Sequence, residues 1–169
     1  ALTQKEIYFD AAGGTSIGAV NAAFYATRKL NSMYKLWLSI DSDDLFGISS
    51  DMLDNFHEGD YTIDDIKQGI TSLKKIIKNL GIDTSNMKKL INKHFDEERL
   101  KKSKIDYGLT TFNLSNFKPV EIFKKDIPKG KLADYILSSA YLPIFKLERI
   151  IDNKFYLDGG VYRNCPVDM

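Results

Sequence analysis

The chain has 169 residues, of which 43% are hydrophobic, and a formal net charge of +1. This size and composition predict one domain with a sizeable core, and the balanced charge gives no indication of global affinity for polyanions. Cys165 is the only cysteine, which excludes a disulfide framework within the chain. No apolar run is long enough to cross a membrane and no signal-peptide pattern is present, so we expect a cytoplasmic protein.

The first chemically informative stretch is Gly14-x-Ser16-x-Gly18. The apolar segment Ile7 to Ala12 predicts a buried strand before it, and the small residues from Ala19 to Leu30 predict a helix after it. A serine between a strand and a helix is typical of a nucleophile elbow. We expect both glycines to be required, because a Cβ atom at either position would clash in the tight turn.

Two other interpretations of this stretch are a plain glycine-rich turn and a phosphate-binding loop. The sequence lacks the Gly-Lys-Ser/Thr ending of a P-loop and the G-x-G-x-x-G fingerprint of a dinucleotide site. The elbow is favoured because the helix N-terminus below the serine offers free N–H groups and the positive end of a dipole, which would stabilise an oxyanion.

The middle of the chain predicts helices with a strong division of charge. Apolar spacing predicts a helix over 32–40, and two more over 61–80 and 83–95. Residues 41–66 contain nine acidic and no basic residues, whereas residues 67–104 contain eleven basic and four acidic ones. The basic block would suit an anionic surface, but solvated helix faces explain it more simply, and the absence of interleaved aromatic residues argues against nucleic-acid binding.

The last third of the chain alternates strands with one helix. Strands are predicted over 105–113 and 119–123, a helix over 131–140, and a hairpin over 147–157 that turns at Asp152-Asn153. The order of these elements indicates α/β layers interrupted by a helical insertion, for which we set the bounds 41–104. We treat residues 1–169 as a single domain.

A serine hydroxyl needs a base to become a nucleophile. The two histidines are poor candidates, because His57 lies in the acidic region and His94 lies on the inward face of a predicted helix. Asp158 follows a short apolar strand and precedes Gly159 and Gly160, which would leave its carboxylate at the edge of the sheet. Sites in α/β proteins gather at such strand ends, although an Asp-Gly pair also serves as a simple turn.

These residues together resemble the patatin-like phospholipases. The resemblance rests on the elbow followed by Asn21-Ala22-Ala23, on Ile136-Leu137-Ser138-Ser139-Ala140-Tyr141-Leu142-Pro143, and on Asp158-Gly159-Gly160 followed by Asn164 and Pro166. The resemblance implies a three-layer α/β/α fold with a mainly parallel sheet. It also implies a Ser-Asp dyad that hydrolyses lipid esters without a metal or cofactor.

By position, the resemblance makes Ser16 the nucleophile, Asp158 the general base and the Ile17 N–H one oxyanion donor. It also implies a glycine-rich loop upstream of the elbow that supplies further oxyanion donors, and this loop is absent from the sequence. We therefore expect the chain to be a piece of a longer protein, truncated at both ends. Tyr141 and Ile144 stand where the family favours small residues, which would alter the shape of the pocket.

The resulting hypothesis is a lipid acyl hydrolase that forms an acyl-enzyme on Ser16, with Asp158 partly desolvated so that it can act as a base. Its expected partners are a lipid or other acyl ester and, transiently, a membrane surface. One alternative is a non-catalytic or incomplete patatin-like domain that binds lipid or a protein partner through its basic helical region. Another is an ordinary esterase whose histidine lies further downstream.

Overall fold

The computed structural model of the protein describes residues 8–40 and 81–168. Within these ranges the chain forms five β-strands and five α-helices. The strands are β1 (Ala11–Thr15), β2 (Asp106–Asn113), β3 (Lys118–Phe123), β4 (Arg149–Ile151) and β5 (Lys154–Asp158). The helices are α1 (Ile17–Ala26), α2 (Leu30–Ser39), α3 (Ser85–His94), α4 (Glu97–Lys102) and α5 (Leu132–Ser139).

Strand β2 is the centre of the sheet and is paired along both edges. On one edge, β3 runs antiparallel beside residues 108–113. Because β1 pairs with residues 106–110 and β5 with residues 111–113, these two strands must share the other edge of β2. Strand β1 runs parallel to β2 and β5 runs antiparallel to it, so their carboxyl ends approach each other near the middle of β2.

The sheet is mixed, so the expectation of a mainly parallel sheet is wrong for the described strands. Only the pairing of β1 with β2 is parallel among these named strands, and the pairings of β2 with β3, β2 with β5 and β4 with β5 are antiparallel. Strands β2 and β3 are joined by a short turn, and so are strands β4 and β5. Such turns give antiparallel pairs, because a parallel pair requires a longer crossover connection. Helices α1 and α5 contact both β2 and each other, so they share one face of the sheet. The third layer stays a prediction.

The core lies between this sheet and the α1–α5 layer. Helix α1 buries small side chains, which let it approach the sheet closely. The Tyr107 hydroxyl on β2 is buried below α1 and donates a hydrogen bond to the Ala19 carbonyl at 3.2 Å. Every residue of α5 is buried. The helix that begins at the elbow is therefore fixed against the central strand by both packing and a hydrogen bond.

Most predicted elements occur close to their expected positions. Strands β2 and β3, helices α2, α3 and α5, and the hairpin of β4 and β5 are confirmed. Asp152 and Asn153 have φ values of 47° and 57°, as a two-residue hairpin turn of the predicted kind requires. The predicted helix over 61–80 lies outside the described residues. The domain bounds and the helical insertion over 41–104 stay predictions.

Two predicted boundaries near the elbow are wrong. The strand expected over Ile7 to Ala12 begins only at Ala11, and the aromatic rings of Tyr8 and Phe9 are exposed instead of buried. The strand instead extends into the motif, where its glycines permit close contact with α1. The helix expected to reach Leu30 ends at Ala26, because the chain turns with a φ of 55° at Arg28 before α2 begins.

Candidate active site

Ser16 lies at a sharp turn between β1 and α1, and its backbone has φ 57° and ψ −127°. This conformation is strained for a residue with a side chain, and such strain is found mainly at functional sites. The first hydrogen bond of the helix runs from Ala19 N to Ser16 O, at 2.9 Å. The N–H groups of Ile17 and Gly18 have no acceptor among the described residues, so both remain available at the positive end of α1.

The two glycines of the elbow have different reasons for being glycine. A Cβ atom on Gly14 would lie 2.3 Å from the carbonyl carbon of Gly18 and 2.4 Å from its oxygen. A Cβ atom on Gly18 would meet nothing within 4 Å. The expectation of a clash at both positions is therefore wrong for Gly18. Gly14 is required because the backbone of α1 lies directly against it, whereas the space beside Gly18 is open.

Asp158 ends β5 directly opposite Thr111 of β2, and Thr15, which precedes Ser16, is opposite the adjacent Thr110. The register of the sheet thus brings the two sequence-predicted residues to neighbouring positions. Asp158 is buried, with 6% of its surface exposed. Its Oδ1 accepts the Gly160 N–H at 2.7 Å, and its Oδ2 accepts no hydrogen bond from the described residues. The Ser16 hydroxyl and this carboxylate are not hydrogen-bonded to each other.

The two glycines after Asp158 both have close neighbours. A Cβ atom on Gly159 would lie 2.5 Å from the Thr110 carbonyl oxygen, and one on Gly160 would lie 2.6 Å from Asn164 Oδ1. The chain at this turn therefore packs against β2 on one side and against the segment that follows it on the other. The supporting role expected for Gly159 and Gly160 stays a prediction, and close packing at both positions is what that role would require.

Hydrogen bonds from β2 connect the elements around the site, and the threonines that make them have no role that was expected from the sequence. The Thr110 and Thr15 hydroxyls are hydrogen-bonded to each other, which connects β2 to β1. The Thr111 hydroxyl donates to Ser138 O at 2.8 Å and to Leu157 O at 3.0 Å, which connects β2 to α5 and β5. The only sequence signal for them is the pairs of adjacent hydroxyl residues, Thr110-Thr111 in β2 and Ser138-Ser139 in α5.

The two histidines are the alternatives to Asp158 as the base. His57 lies outside the described residues. His94 lies at the end of α3, where its ring is 6.5 Å from that of Phe24, and burial together with Lys93 and Lys29 lowers its pKa. It is half-buried, as expected for a packed histidine. Tyr141 also contacts the candidate base, because its backbone carbonyl accepts the Asp158 N–H. Burial raises the pKa of the Tyr141 phenol to about 12, so the phenol is neutral near pH 7.

A small apolar cavity of about 40 Å³ begins beside the elbow. Its walls are formed by residues of α1, α2, α3 and the end of α5: Ile17, Val20, Leu36, Trp37, Met87, Leu90, Ile91, His94, Phe95 and Ala140. The Trp37 indole N–H donates to Asn21 Oδ1 at 2.9 Å, which fixes the ring in the wall. A larger cleft of about 660 Å³ lies at the far end of α1, but charged residues line it and neither Ser16 nor Asp158 does.

Within residues 8–40 and 81–168, no group of His, Cys, Asp or Glu side chains has the arrangement of a metal site. The helices in these ranges are too short or too polar to span a membrane. Two lysines of the basic block over residues 67–104 form ion pairs with carboxylates: Lys88 contacts Asp134, and Lys101 contacts Glu97. These pairs agree with a solvated helix face for the described part of that block.

Comparisons with known proteins give the fold and the family of the chain. Among solved structures, the chain is similar to VipD from Legionella pneumophila, with a TM-score of 0.60 and 14% identity. The alignment covers 98% of this chain but only 43% of the VipD chain, and identity at this level shows the fold alone. No curated protein sequence matches the chain. A family model described as patatin-like phospholipase matches residues 1–169, so the chain belongs to the patatin-like phospholipase family.

Proposed function

We propose that the chain carries the active site of a lipid acyl hydrolase, with Ser16 as the nucleophile and Asp158 as the general base. The observation that supports this most directly is the register of β2, where Thr15 and Asp158 are opposite the adjacent residues Thr110 and Thr111. Membership of the patatin-like phospholipase family agrees with an ester substrate.

In this proposal the Ser16 hydroxyl transfers its proton to Asp158 Oδ2 as its oxygen attacks the ester carbonyl carbon. The backbone N–H groups of Ile17 and Gly18 stabilise the oxyanion that forms. The alcohol then leaves with the proton from Asp158, and the acyl group remains on Ser16. A water molecule next gives a proton to Asp158 and attacks the acyl-enzyme, which releases the fatty acid and restores the hydroxyl.

The hydrogen bonding of Asp158 supports its role as the base. A general base must have an oxygen free to accept the proton that it removes. Asp158 has only 6% of its surface exposed, and a single backbone N–H, that of Gly160, donates to its carboxylate among the described residues. Its second oxygen is therefore available for the hydroxyl of Ser16.

The apolar cavity beside Ile17 supports an acyl substrate. Ile17 directly follows the nucleophile, and it is one of the residues that line the cavity. A ligand held there would be recognised by apolar contact, because the cavity walls expose no polar atoms. The acyl chain of an ester has this chemistry, whereas a charged head group does not. We therefore place only the first carbons of the acyl chain at this cavity, because its volume of about 40 Å³ is much smaller than a whole fatty acyl chain, and the leaving alcohol on the open side of the elbow.

A fluorophosphonate probe tests the nucleophile. We expect it to label Ser16 in the full-length protein, and we expect Ser16→Ala to lose both labelling and ester hydrolysis. Labelling of a different residue, or hydrolysis that survives in Ser16→Ala, would remove Ser16 from the mechanism. Binding to liposomes that persists in Ser16→Ala without any hydrolysis in the native protein would favour the non-catalytic alternative.

A second pair of variants tests the base. We expect Asp158→Asn to abolish turnover with little change in fold, because the amide cannot accept the proton yet occupies the same volume. His94→Ala should retain kcat, since the proposed proton transfer does not use that ring, whereas KM can change because His94 lines the apolar cavity. The opposite result, in which His94→Ala is inactive and Asp158→Asn is active, would replace the dyad with a histidine-dependent mechanism.

A further inference from the structure

The hydroxyl of Ser139 connects three parts of the chain that meet at the elbow. Ser139 is the last residue of α5 and is fully buried. Its Oγ accepts the backbone N–H of Ser16 at 3.0 Å and donates to the carbonyl of Thr110 at 2.7 Å. A single hydroxyl thus joins the candidate nucleophile, helix α5 and the central strand.

The bond to Ser16 lies where the backbone is most strained. With φ 57° and ψ −127°, Ser16 has a conformation that persists only when the surrounding structure enforces it. On its carbonyl side, Ser16 is held by the first hydrogen bonds of α1, from Ala19 N and Val20 N. On its amide side, among the described residues, the Ser139 hydroxyl is the acceptor. Loss of that hydroxyl would therefore free the peptide plane that leads into the elbow.

We propose that Ser139 is a positioning residue, whose hydroxyl holds the Ser16 amide and so aims the Ser16 side chain for catalysis. The catalytic consequence rests on the proposed function, whereas the bond between the two residues does not. Because Ser139 takes the Ser16 N–H, that group is not an oxyanion donor, and among the described residues the proposed donors are the N–H groups of Ile17 and Gly18.

The neighbouring residue Ser138 provides a matched control. It is also fully buried on α5, but its Oγ donates to the Tyr135 carbonyl within the same helix, at 2.7 Å. Bonds of this local kind are common for buried helical serines and reach no other element. Ser138→Ala and Ser139→Ala therefore remove the same atom from adjacent buried positions, and only the second substitution removes a contact with the elbow.

In Ser139→Ala, we expect fluorophosphonate labelling of Ser16 and kcat to fall about 10- to 100-fold, because small displacements of a reacting group have effects of this size. KM should change less than about twofold, since the variant leaves the substrate cavity intact. In Ser138→Ala, both quantities should stay within about threefold of the native protein. Equal losses in the two variants would mean that Ser139 acts only through packing, which would overturn the proposal.

Amide hydrogen exchange of Ser16 tests the bond without reference to activity. In the native protein, we expect this amide to exchange slowly although it precedes the helix, and we expect Ser139→Ala to accelerate its exchange at least about tenfold relative to Ser138→Ala. Exchange of the native Ser16 amide at the rate of an open loop would overturn the proposal even if Ser139→Ala failed to fold. If the native protein is not labelled at Ser16, the proposed function fails, and the exchange measurement still decides the role of Ser139.

Discussion

The two glycines of the elbow make a sharp test of the geometry, because the structure assigns them opposite responses to the same substitution. In Gly14→Ala, the new Cβ atom would lie 2.3 Å from the Gly18 carbonyl carbon. Ordinary contacts begin near 3.4 Å, so β1 and α1 must separate by about 1 Å. Overpacking of this kind costs about 1–3 kcal/mol. For a chain of this length we expect the melting temperature to fall by roughly 2–12 °C.

Gly18→Ala has the same change in volume but meets no neighbouring atom within 4 Å. Alanine is favoured over glycine in a helix by about 0.5–1 kcal/mol, so the melting temperature should stay constant or rise by roughly 1–4 °C. Thermal unfolding of both variants, followed by circular dichroism, measures the difference. A Gly14→Ala protein that melts within about 1 °C of the native protein, or equal shifts for the two variants, would contradict the close contact between β1 and α1.

Two further predictions concern the cavity and the cap of α5. Trp37→Ala should enlarge the apolar cavity and shift kcat/KM towards longer acyl esters, by about fourfold per added methylene, whereas Leu38→Ala on the exposed face of α2 should leave the preference unchanged. The Glu97 carboxylate accepts the backbone N–H groups of Gly130 and Leu132. Burial by itself would raise the pKa of Glu97, but these hydrogen bonds and the nearby Lys101 have the larger combined effect and lower it. Its contribution to the free energy of unfolding should be present above about pH 4.5 and lost as the pH falls through the lowered pKa. In urea titrations, Glu97→Gln should therefore cost about 1–2 kcal/mol at pH 7 and little at acid pH, and exposed Glu98→Gln should cost little at either pH.

The sequence contained enough information to predict the elements of this site, because each has a local signature. The elbow is recognisable from Gly14-x-Ser16-x-Gly18 between an apolar segment and a small-residue helix, and the hairpin is recognisable from Asp152-Asn153. Helix α3 was recognisable from its apolar spacing, since Ile91 is buried and Met87 and Phe95 pack against the core. Local patterns of this kind depend on neighbours within about one turn of helix or one hairpin, so one sequence is sufficient to find them.

What the sequence could not supply were the contacts between distant segments. The reason why Gly14 must be glycine lies in the backbone of α1, and no property of either segment alone shows that Gly18 has open space beside it. In the same way, Ser139 was part of the pattern that carried the family resemblance, but its bond to Ser16 joins residues 123 positions apart. The strand directions also depend on pairing partners, so the mainly parallel sheet implied by the resemblance could not be tested from the sequence.

The separation of Ser16 and Asp158 is controlled by two adjacent residues of β2. Strand β1 ends opposite Thr110 and β5 ends opposite Thr111, and because the two strands run in opposite directions, each fixes one of the two groups independently. A slip of β5 by one residue would move Asp158 by about 3.4 Å and turn its side chain to the other face of the sheet. The Thr111 hydroxyl, bonded to carbonyls of both α5 and β5, opposes such a slip. The register of β2 therefore sets the geometry on which the proposed proton transfer depends.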